Sequence, residues 1–420
     1  VLERFLIQGG NRLNGRVKIS GAKNAALPLL ASSILSENGL FLRNVPDVAD
    51  IRTMLKALEL LGVRCFFDKE NHTVDIDSTG AKPRKVPYDI IRKMRASVLL
   101  MGPLLARFNR AYVYTPGGCA IGARPIDMHI DSFKKLGARY SVKEGYSVLK
   151  GQRLKGTLIH FDRKTVTGTE NVVMASVLAD GETVIKNAAT EPEVQDLCNC
   201  LKKMGAEIEG IGTDTIRIRG VTTLEKVEYS VIPDRIETGT FVVAALVSGE
   251  KVLIEGAISE HLDFFLSKVV EAGGKIEVKR NTIVVQGQDK LLPVNIETAP
   301  YPGFPTDLQA QFMVLMLKAK GTSYIKENIF ENRFQHVQEL KRLGADIKLE
   351  GNMAIVNGGN MLSGADVMAT DLRASASLVL AGLFAKGETR VHRIYHLDRG
   401  YERFEEKLRN LGAFIVREKE

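Results

Sequence analysis

The stretch "EVQDLCNCLKKMG" (residues 193–205) reads as an amphipathic helix closed by a glycine at the C-terminal turn. The residues around that glycine, "MGAEI" (204–208), have close counterparts elsewhere: "LGVRC" (61–65), "LGARY" (136–140), "AGGKI" (272–276), "LGADI" (343–347) and "LGAFI" (411–415). The glycines are Gly62, Gly137, Gly205, Gly273, Gly344 and Gly412, at successive spacings of 75, 68, 68, 71 and 68 residues. Self-similarity at a fixed period is the mark of a repeated structural unit. Each copy shows an apolar helix, a glycine-led strand such as "GETVIKNA" (181–188), an amphipathic helix ending at the repeated glycine, and a strand pair with polar turn residues. The unit is β-α-β-α-β-β, with strands bridging between copies. Six such units in 420 residues favour two α/β domains of three units each over an open solenoid.

Composition narrows the function classes. Hydrophobic residues make up 45% and charged residues 26%, the balance of a globular protein. No apolar run has the length of a membrane span, and the N-terminus lacks a signal-peptide pattern, so a cytoplasmic protein is expected. Four cysteines (Cys65, Cys119, Cys198, Cys200) are too few for a disulfide scaffold, and Cys198 and Cys200 read as helix residues. The net charge of +8 suits an anionic ligand. A nucleic-acid-binding repeat would repeat basic stripes and aromatic platforms copy by copy. Here aromatics are 6%, tryptophan is absent, and the special residues differ between copies.

One copy departs from the pattern. From turn glycine to repeated glycine, five copies take 23–25 residues; the second takes about 28 from Asn109 to Gly137. The surplus is "TPGGCAIGARP" (115–125), an extra loop that sets Cys119 between paired glycines and Arg124. Such a loop is where function concentrates.

Polar groups gather at the start of the apolar helices: Lys23 and Asn24, Arg95, Lys164 with Glu170, Asp234 with Arg235 and Glu237, Asp307, and Asp371 with Arg373. Helix capping accounts for Thr306, Asp307 and Asp371. It does not account for cations, which oppose the positive end of the helix dipole unless an anion binds there too.

The motifs "ISGAKNAALPLLA" (19–31), "PGGCAIGARPIDMHI" (116–130), "VTGTENVVMA" (166–175), "PDRIETGTF" (233–241), "YPGFPTDLQAQF" (301–312), "FENRFQHVQEL" (330–340), "ATDLRASASLVLAG" (369–382) and "DRGYERFEEKL" (398–408) are together highly specific. The chain resembles, over its whole length, the UDP-N-acetylglucosamine 1-carboxyvinyltransferase family, enolpyruvyl transferases that open peptidoglycan synthesis. The resemblance implies the two-domain inverse α/β barrel of the enolpyruvyl transferases. Residues 23–232 would form the first domain and residues 1–22 with 233–420 the second, the ligands lying in the cleft between them. The related 5-enolpyruvylshikimate-3-phosphate synthases share the fold but lack the cysteine loop and the "GAKNAALP" helix start.

The implied reaction joins phosphoenolpyruvate to the 3-hydroxyl of UDP-N-acetylglucosamine and releases phosphate, by addition and then elimination. By the same resemblance Cys119 is the acid at C3 and the site of a covalent adduct, a role a thiol can fill. Asp307 is the base or the group orienting the hydroxyl. Lys23, Arg124 and Arg399 would hold the phosphate, with Asn24 beside them. Arg333 and Arg373 would hold the carboxylate of phosphoenolpyruvate. Arg95, Arg124, Pro125, Ile126, Asp127, Met128, Lys164, Thr165, Val166, Thr167, Asp307 and Ile329 would serve UDP-N-acetylglucosamine. His129, next in line, reads as an ordinary helix histidine. No cofactor and no metal is implied, and a monomer acting on small molecules, without nucleic acid or membrane span, is expected. The glycines would let the Cys119 loop close over the substrates as a lid.

Overall fold

A computed structural model describes residues 2–91, 95–114 and 126–420. They form two compact units, one made of the chain up to Ser20 together with Pro233–Glu420, the other of the described parts between Gly21 and Ile232.

In the unit that holds the C-terminus, the helices Arg235–Ser248, Gln309–Lys318 and Leu372–Phe384 pack on one another. Nearly every residue along them is buried. A helix that is apolar all round can only be stable inside a core. Three four-stranded sheets pack against these helices. The N-terminal strand Glu3–Gln8 lies within one of them, antiparallel to both Glu388–His392 and Phe414–Lys419, with Phe5 opposite Val391 and Arg417. The next strand, Leu13–Lys18, runs parallel to Gly249–Glu255 in another sheet. Both N-terminal strands therefore complete sheets begun more than two hundred residues later. Outside lie shorter helices with one buried face, Asp263–Glu271, His336–Arg342 and Phe404–Asn410.

The other unit is built from the same kinds of element. Its buried helices are Lys23–Ser32, Met101–Phe108 and Val166–Ser176. Its sheets have four, four and three strands, the three-stranded one being Arg110–Tyr114, Tyr146–Lys150 and Arg139–Lys143. In one four-stranded sheet the late strand Glu228–Ser230 runs parallel to Leu40–Arg43, so the end of this unit closes back on its beginning. Arg95 opens a 3-10 helix, Arg95–Leu100, that leads into Met101–Phe108, rather than opening an α-helix directly.

All six repeated glycines have positive φ, from +86° to +109°, immediately after their helices. That is the left-handed conformation that ends a helix and that only glycine takes without strain. At Gly62 a Cβ would also stand 2.3 Å from the Gly80 carbonyl oxygen. Cys198 and Cys200 are buried on Pro192–Lys203. Among the described residues no helix is long and apolar enough to cross a membrane.

Candidate active site

The segment "YPGFPTDLQAQF" sets up the central carboxylate. Pro305 stands at the N-cap, a 3-10 turn Thr306–Leu308 follows, and the α-helix begins only at Gln309. Neither Thr306 nor Asp307 takes the N-cap place expected of them: Pro305 holds it and makes no side-chain cap bond. Thr306 instead donates its hydroxyl to Glu327 Oε2 at 2.8 Å. Asp307 faces two arginines: Arg333 Nη2 donates to its Oδ1 at 2.8 Å, and Arg373 Nε and Nη2 donate to its Oδ2 at 3.2 and 3.0 Å.

Both guanidiniums are deeply buried, the side chains of Arg333 and Arg373 being 5% and 4% exposed, while Asp307 keeps 24%. Burial, the largest single influence, would lower the pKa of Arg373; Asp307, Tyr401 and Asp234 together outweigh it and hold the group charged. Aromatic faces support the cations, Arg333 over Phe330 at 5.1 Å and Arg373 over Tyr401 at 5.3 Å. Tyr401 is itself fixed: its hydroxyl pairs with Thr240 at 2.8 Å, and Gln311 Nε2 donates to it at 3.1 Å. Two charged donors and one carboxylate leave a net positive charge. Among the described residues, Nη1 of each arginine is buried without a hydrogen-bond partner. Buried donors of this kind suit an anion with two oxygens, such as a carboxylate.

Asp371 does cap its helix, accepting from the backbone N–H of Arg373 and Ala374 at 2.8 and 3.0 Å. Arg399 ends the 3-10 helix Ile394–Arg399 and is half-buried. Ile329 is partly exposed, and its backbone N–H donates to Glu327 Oε1 at 2.8 Å.

In the other unit Lys23 is the first residue of Lys23–Ser32, and its ammonium donates to Asp50 at 3.1 Å in a buried pair. Asn24, beside it, is exposed. Thr165 caps Val166–Ser176 by accepting from Gly168 N at 3.2 Å. Lys164, Val166 and Thr167 are half-buried around that helix start. Asp127 and Met128 open the helix Asp127–Lys135, following the buried Ile126.

His129 links these two helix starts. Asn171 Oδ1 accepts from Gly102 N at 2.8 Å, so its amide nitrogen is the donor to Val98 O at 3.0 Å and to His129 Nδ1 at 3.1 Å. His129 then carries its proton on Nε2, 3.3 Å from the Thr167 hydroxyl. Burial pushes its pKa down to about 4, which keeps the ring neutral.

The predicted residues thus fall into two groups, Asp307 with Arg333 and Arg373, and Asp127 and Met128 with Thr167 through His129. Arg95 is placed only by its backbone, and Cys119, Arg124 and Pro125 lie outside the described residues. Sequence reasoning missed Glu327, Asp50, Asn171 and Tyr401. None of them belongs to a local pattern that would reveal its partner. Among the described residues no group of His, Cys, Asp and Glu is placed to hold a metal ion.

A family model described as EPSP synthase (3-phosphoshikimate 1-carboxyvinyltransferase) matches residues 7–408. Two relatives named UDP-N-acetylglucosamine 1-carboxyvinyltransferase match over the full length. The one from Myxococcus xanthus is 54% identical over 100% of both chains, and the one from Campylobacter hominis is 55% identical over 99% of both. Among solved structures, the enolpyruvyl transferase NikO from Streptomyces tendae superposes with a TM-score of 0.91 at 26% identity, covering 99% of both chains. EPSP synthase from Acinetobacter baumannii, at 20% identity and a TM-score of 0.78 over 99% of this chain and 100% of that one, shares the fold. The architecture is that of the enolpyruvyl transferases, and by identity above one half over its whole length the chain belongs to the UDP-N-acetylglucosamine 1-carboxyvinyltransferase family.

Proposed function

We propose that this protein transfers the enolpyruvyl group of phosphoenolpyruvate to the 3-hydroxyl of UDP-N-acetylglucosamine and releases phosphate, the first committed step of peptidoglycan synthesis. The observation that carries this reading is the full-length identity of 54% to a relative bearing that activity as its name. The Asp307 cluster supports it chemically. A carboxylate between two buried arginines is held in place to accept a proton from, or orient, a sugar hydroxyl. The Nη1 donors of Arg333 and Arg373, without a partner among the described residues, suit the carboxylate of phosphoenolpyruvate.

In the first step the sugar oxygen bonds to C2 of phosphoenolpyruvate as C3 takes a proton, which gives a tetrahedral adduct. In the second, phosphate leaves C2, C3 returns a proton, and the double bond re-forms. Cys119 is assigned the C3 proton and the covalent adduct. Asp307 is assigned the sugar hydroxyl, and Lys23, Asn24, Arg124 and Arg399 the phosphate. Arg95, Arg124, Pro125, Ile126, Asp127, Met128, Lys164, Thr165, Val166, Thr167 and Ile329 are assigned to UDP-N-acetylglucosamine. The reading includes two domains of three β-α-β-α-β-β units, residues 23–232 and residues 1–22 with 233–420. It also takes the enzyme as a cytoplasmic monomer without nucleic-acid partners.

The test is phosphate release from phosphoenolpyruvate with either acceptor. Release with UDP-N-acetylglucosamine and none with shikimate 3-phosphate is expected; the reverse would overturn the assignment.

A further inference from the structure

Glu327 lies just beyond the strand Gly321–Lys326 and is 3% exposed. Four donors meet its carboxylate. Oε1 accepts from the Thr298 hydroxyl at 3.0 Å, from Ile329 N at 2.8 Å and from Phe330 N at 3.1 Å. Oε2 accepts from the Thr306 hydroxyl at 2.8 Å. Its backbone is held as well, Glu327 N donating to Asn352 O at 2.8 Å. Hydrogen bonds to an ionised acceptor are among the stronger ones in proteins, and a buried carboxylate with this many donors has one orientation.

The donors come from three places that matter to the site. Thr298 and Thr306 stand at the two ends of the loop that leads into Asp307, so one side chain clasps both ends of that loop. Ile329 and Phe330 form the turn that follows Glu327 itself. The ring of Phe330 supports the Arg333 guanidinium, and that guanidinium donates to Asp307. Glu327 therefore sets both partners of the Asp307–Arg333 pair, one through Thr306 and the other through the Phe330 turn.

We propose that Glu327 is a positioning residue for this reaction, holding Asp307 and Arg333 in register through Thr306 and Phe330. The proposal rests on the enolpyruvyl-transfer reading. Glu327 touches neither substrate in this scheme, so it acts through the residues it holds, Asp307 and the carboxylate-binding Arg333. Productive geometry tolerates little displacement of a reacting group.

The experiment compares Thr306→Val, Thr306→Ser, Glu327→Gln and the Thr306→Val/Glu327→Gln pair, each in the full-length enzyme with both substrates. Valine removes one hydroxyl donor at nearly constant volume and leaves the other three bonds of Glu327 in place. Serine restores the donor. Thr306→Val and Glu327→Gln are each expected to lower kcat about tenfold, Thr306→Val with both KM values within about twofold, and Thr306→Ser is expected to resemble the parent. The pair should be about tenfold slower than the parent, not about a hundredfold, because both changes cut the same link. Thermal melting accompanies each measurement. If Thr306→Val melts lower but turns over like the parent, the role is purely structural and the proposal is overturned. Multiplying effects in the pair, or serine as slow as valine, overturn it too. Should Glu327→Gln fail to fold, the Thr306 variants still decide. A parent enzyme that releases no phosphate with UDP-N-acetylglucosamine would overturn the function itself; an active parent with unaffected Thr306→Val overturns only the role of Glu327.

Discussion

Replacing Asp307 by asparagine keeps the shape of the side chain and removes its charge. Oδ1 of the native carboxylate accepts from Arg333, and Oδ2 accepts twice from Arg373. The amide keeps one acceptor oxygen; its NH2 must then face a guanidinium, which is itself only a donor. Breaking a buried ion pair from one side costs about 3–5 kcal/mol. The Asp307 side chain is 24% exposed, so water relieves part of this, and a loss of about 2–3 kcal/mol in unfolding free energy is expected. Loss of a base or orienting carboxylate should lower kcat by about 10²–10⁴-fold. A third readout separates the charge from the fold. Without Asp307, the two buried arginines lose their shared carboxylate, with Asp234 still acting on Arg373, and any anion that binds the native state stabilises it by mass action. Added phosphate should therefore raise the melting temperature of Asp307→Asn more than that of the parent. Denaturant melts, phosphate-release kinetics and melting in graded phosphate test the three parts. A variant that turns over like the parent refutes the role in chemistry. Undiminished stability, or no extra gain from phosphate, refutes the electrostatic account.

Cys119→Ser should lose most turnover yet bind UDP-N-acetylglucosamine in titration calorimetry, whereas Cys119→Asp should keep measurable turnover and resist a phosphonate epoxide; an aspartate variant as inactive as serine would remove the proton-donor role. Mass mapping after a small alkylating agent should find label on Cys119 alone, because burial pushes the thiols of Cys65 and Cys198 up to about 12 and that of Cys200 higher still; label mainly on any of these three would contradict the assignment. Burial raises Asp196 to about 6, above its unfolded value, so its charge weakens the fold above that pH and the penalty fades as pH falls from about 6 towards 4. Asp196→Asn, which keeps an acceptor for the Tyr229 hydroxyl, should be more stable than the parent at pH 8 by on the order of 1–3 kcal/mol; melts from pH 8 to 4 should show the gap closing, and a constant gap would refute the account.

What the sequence revealed was what local physics writes into neighbouring residues. The repeated glycines were legible because a left-handed helix end admits almost nothing else, and all six adopt it. The apolar helices were legible because a helix buried on every side has few polar residues to place. The surplus around Cys119 was legible as a length, although its geometry lies outside the described residues. Pairings between distant segments left no such trace. Asp307 looks like an ordinary cap, and only the fold brings it arginines from 26 and 66 residues downstream. His129 reads as any helix histidine until Asn171, 42 residues on, fixes its tautomer. Glu327 sits in a polar turn with no periodicity, and its donors are spread from Thr298 to Phe330. The same holds for strand Glu3–Gln8, whose alternating pattern says that it pairs but not that its partners lie near the other end of the chain.

The helix starts show how one fold supplies both stability and chemistry. Asp234 and Asp371 head their inner helices, and Oδ1 of each accepts from two first-turn N–H groups, Asp234 from Ile236 and Glu237, Asp371 from Arg373 and Ala374. Asp307 heads the third inner helix of the same unit, but Pro305 and the 3-10 turn after it begin that helix without a side-chain cap. Its oxygens accept instead from Arg333 and Arg373. The two arrangements are coupled at Arg373. Its backbone N–H is held by the cap from Asp371, while its guanidinium reaches Asp307 on a different helix. A satisfied helix start thus aims the cation that serves the unsatisfied one. An aspartate at a helix start that declines to cap is, on this reasoning, a stronger pointer to chemistry than the residue type alone, because the lost cap, worth about 1 kcal/mol, must be offset by partners brought from elsewhere in the fold.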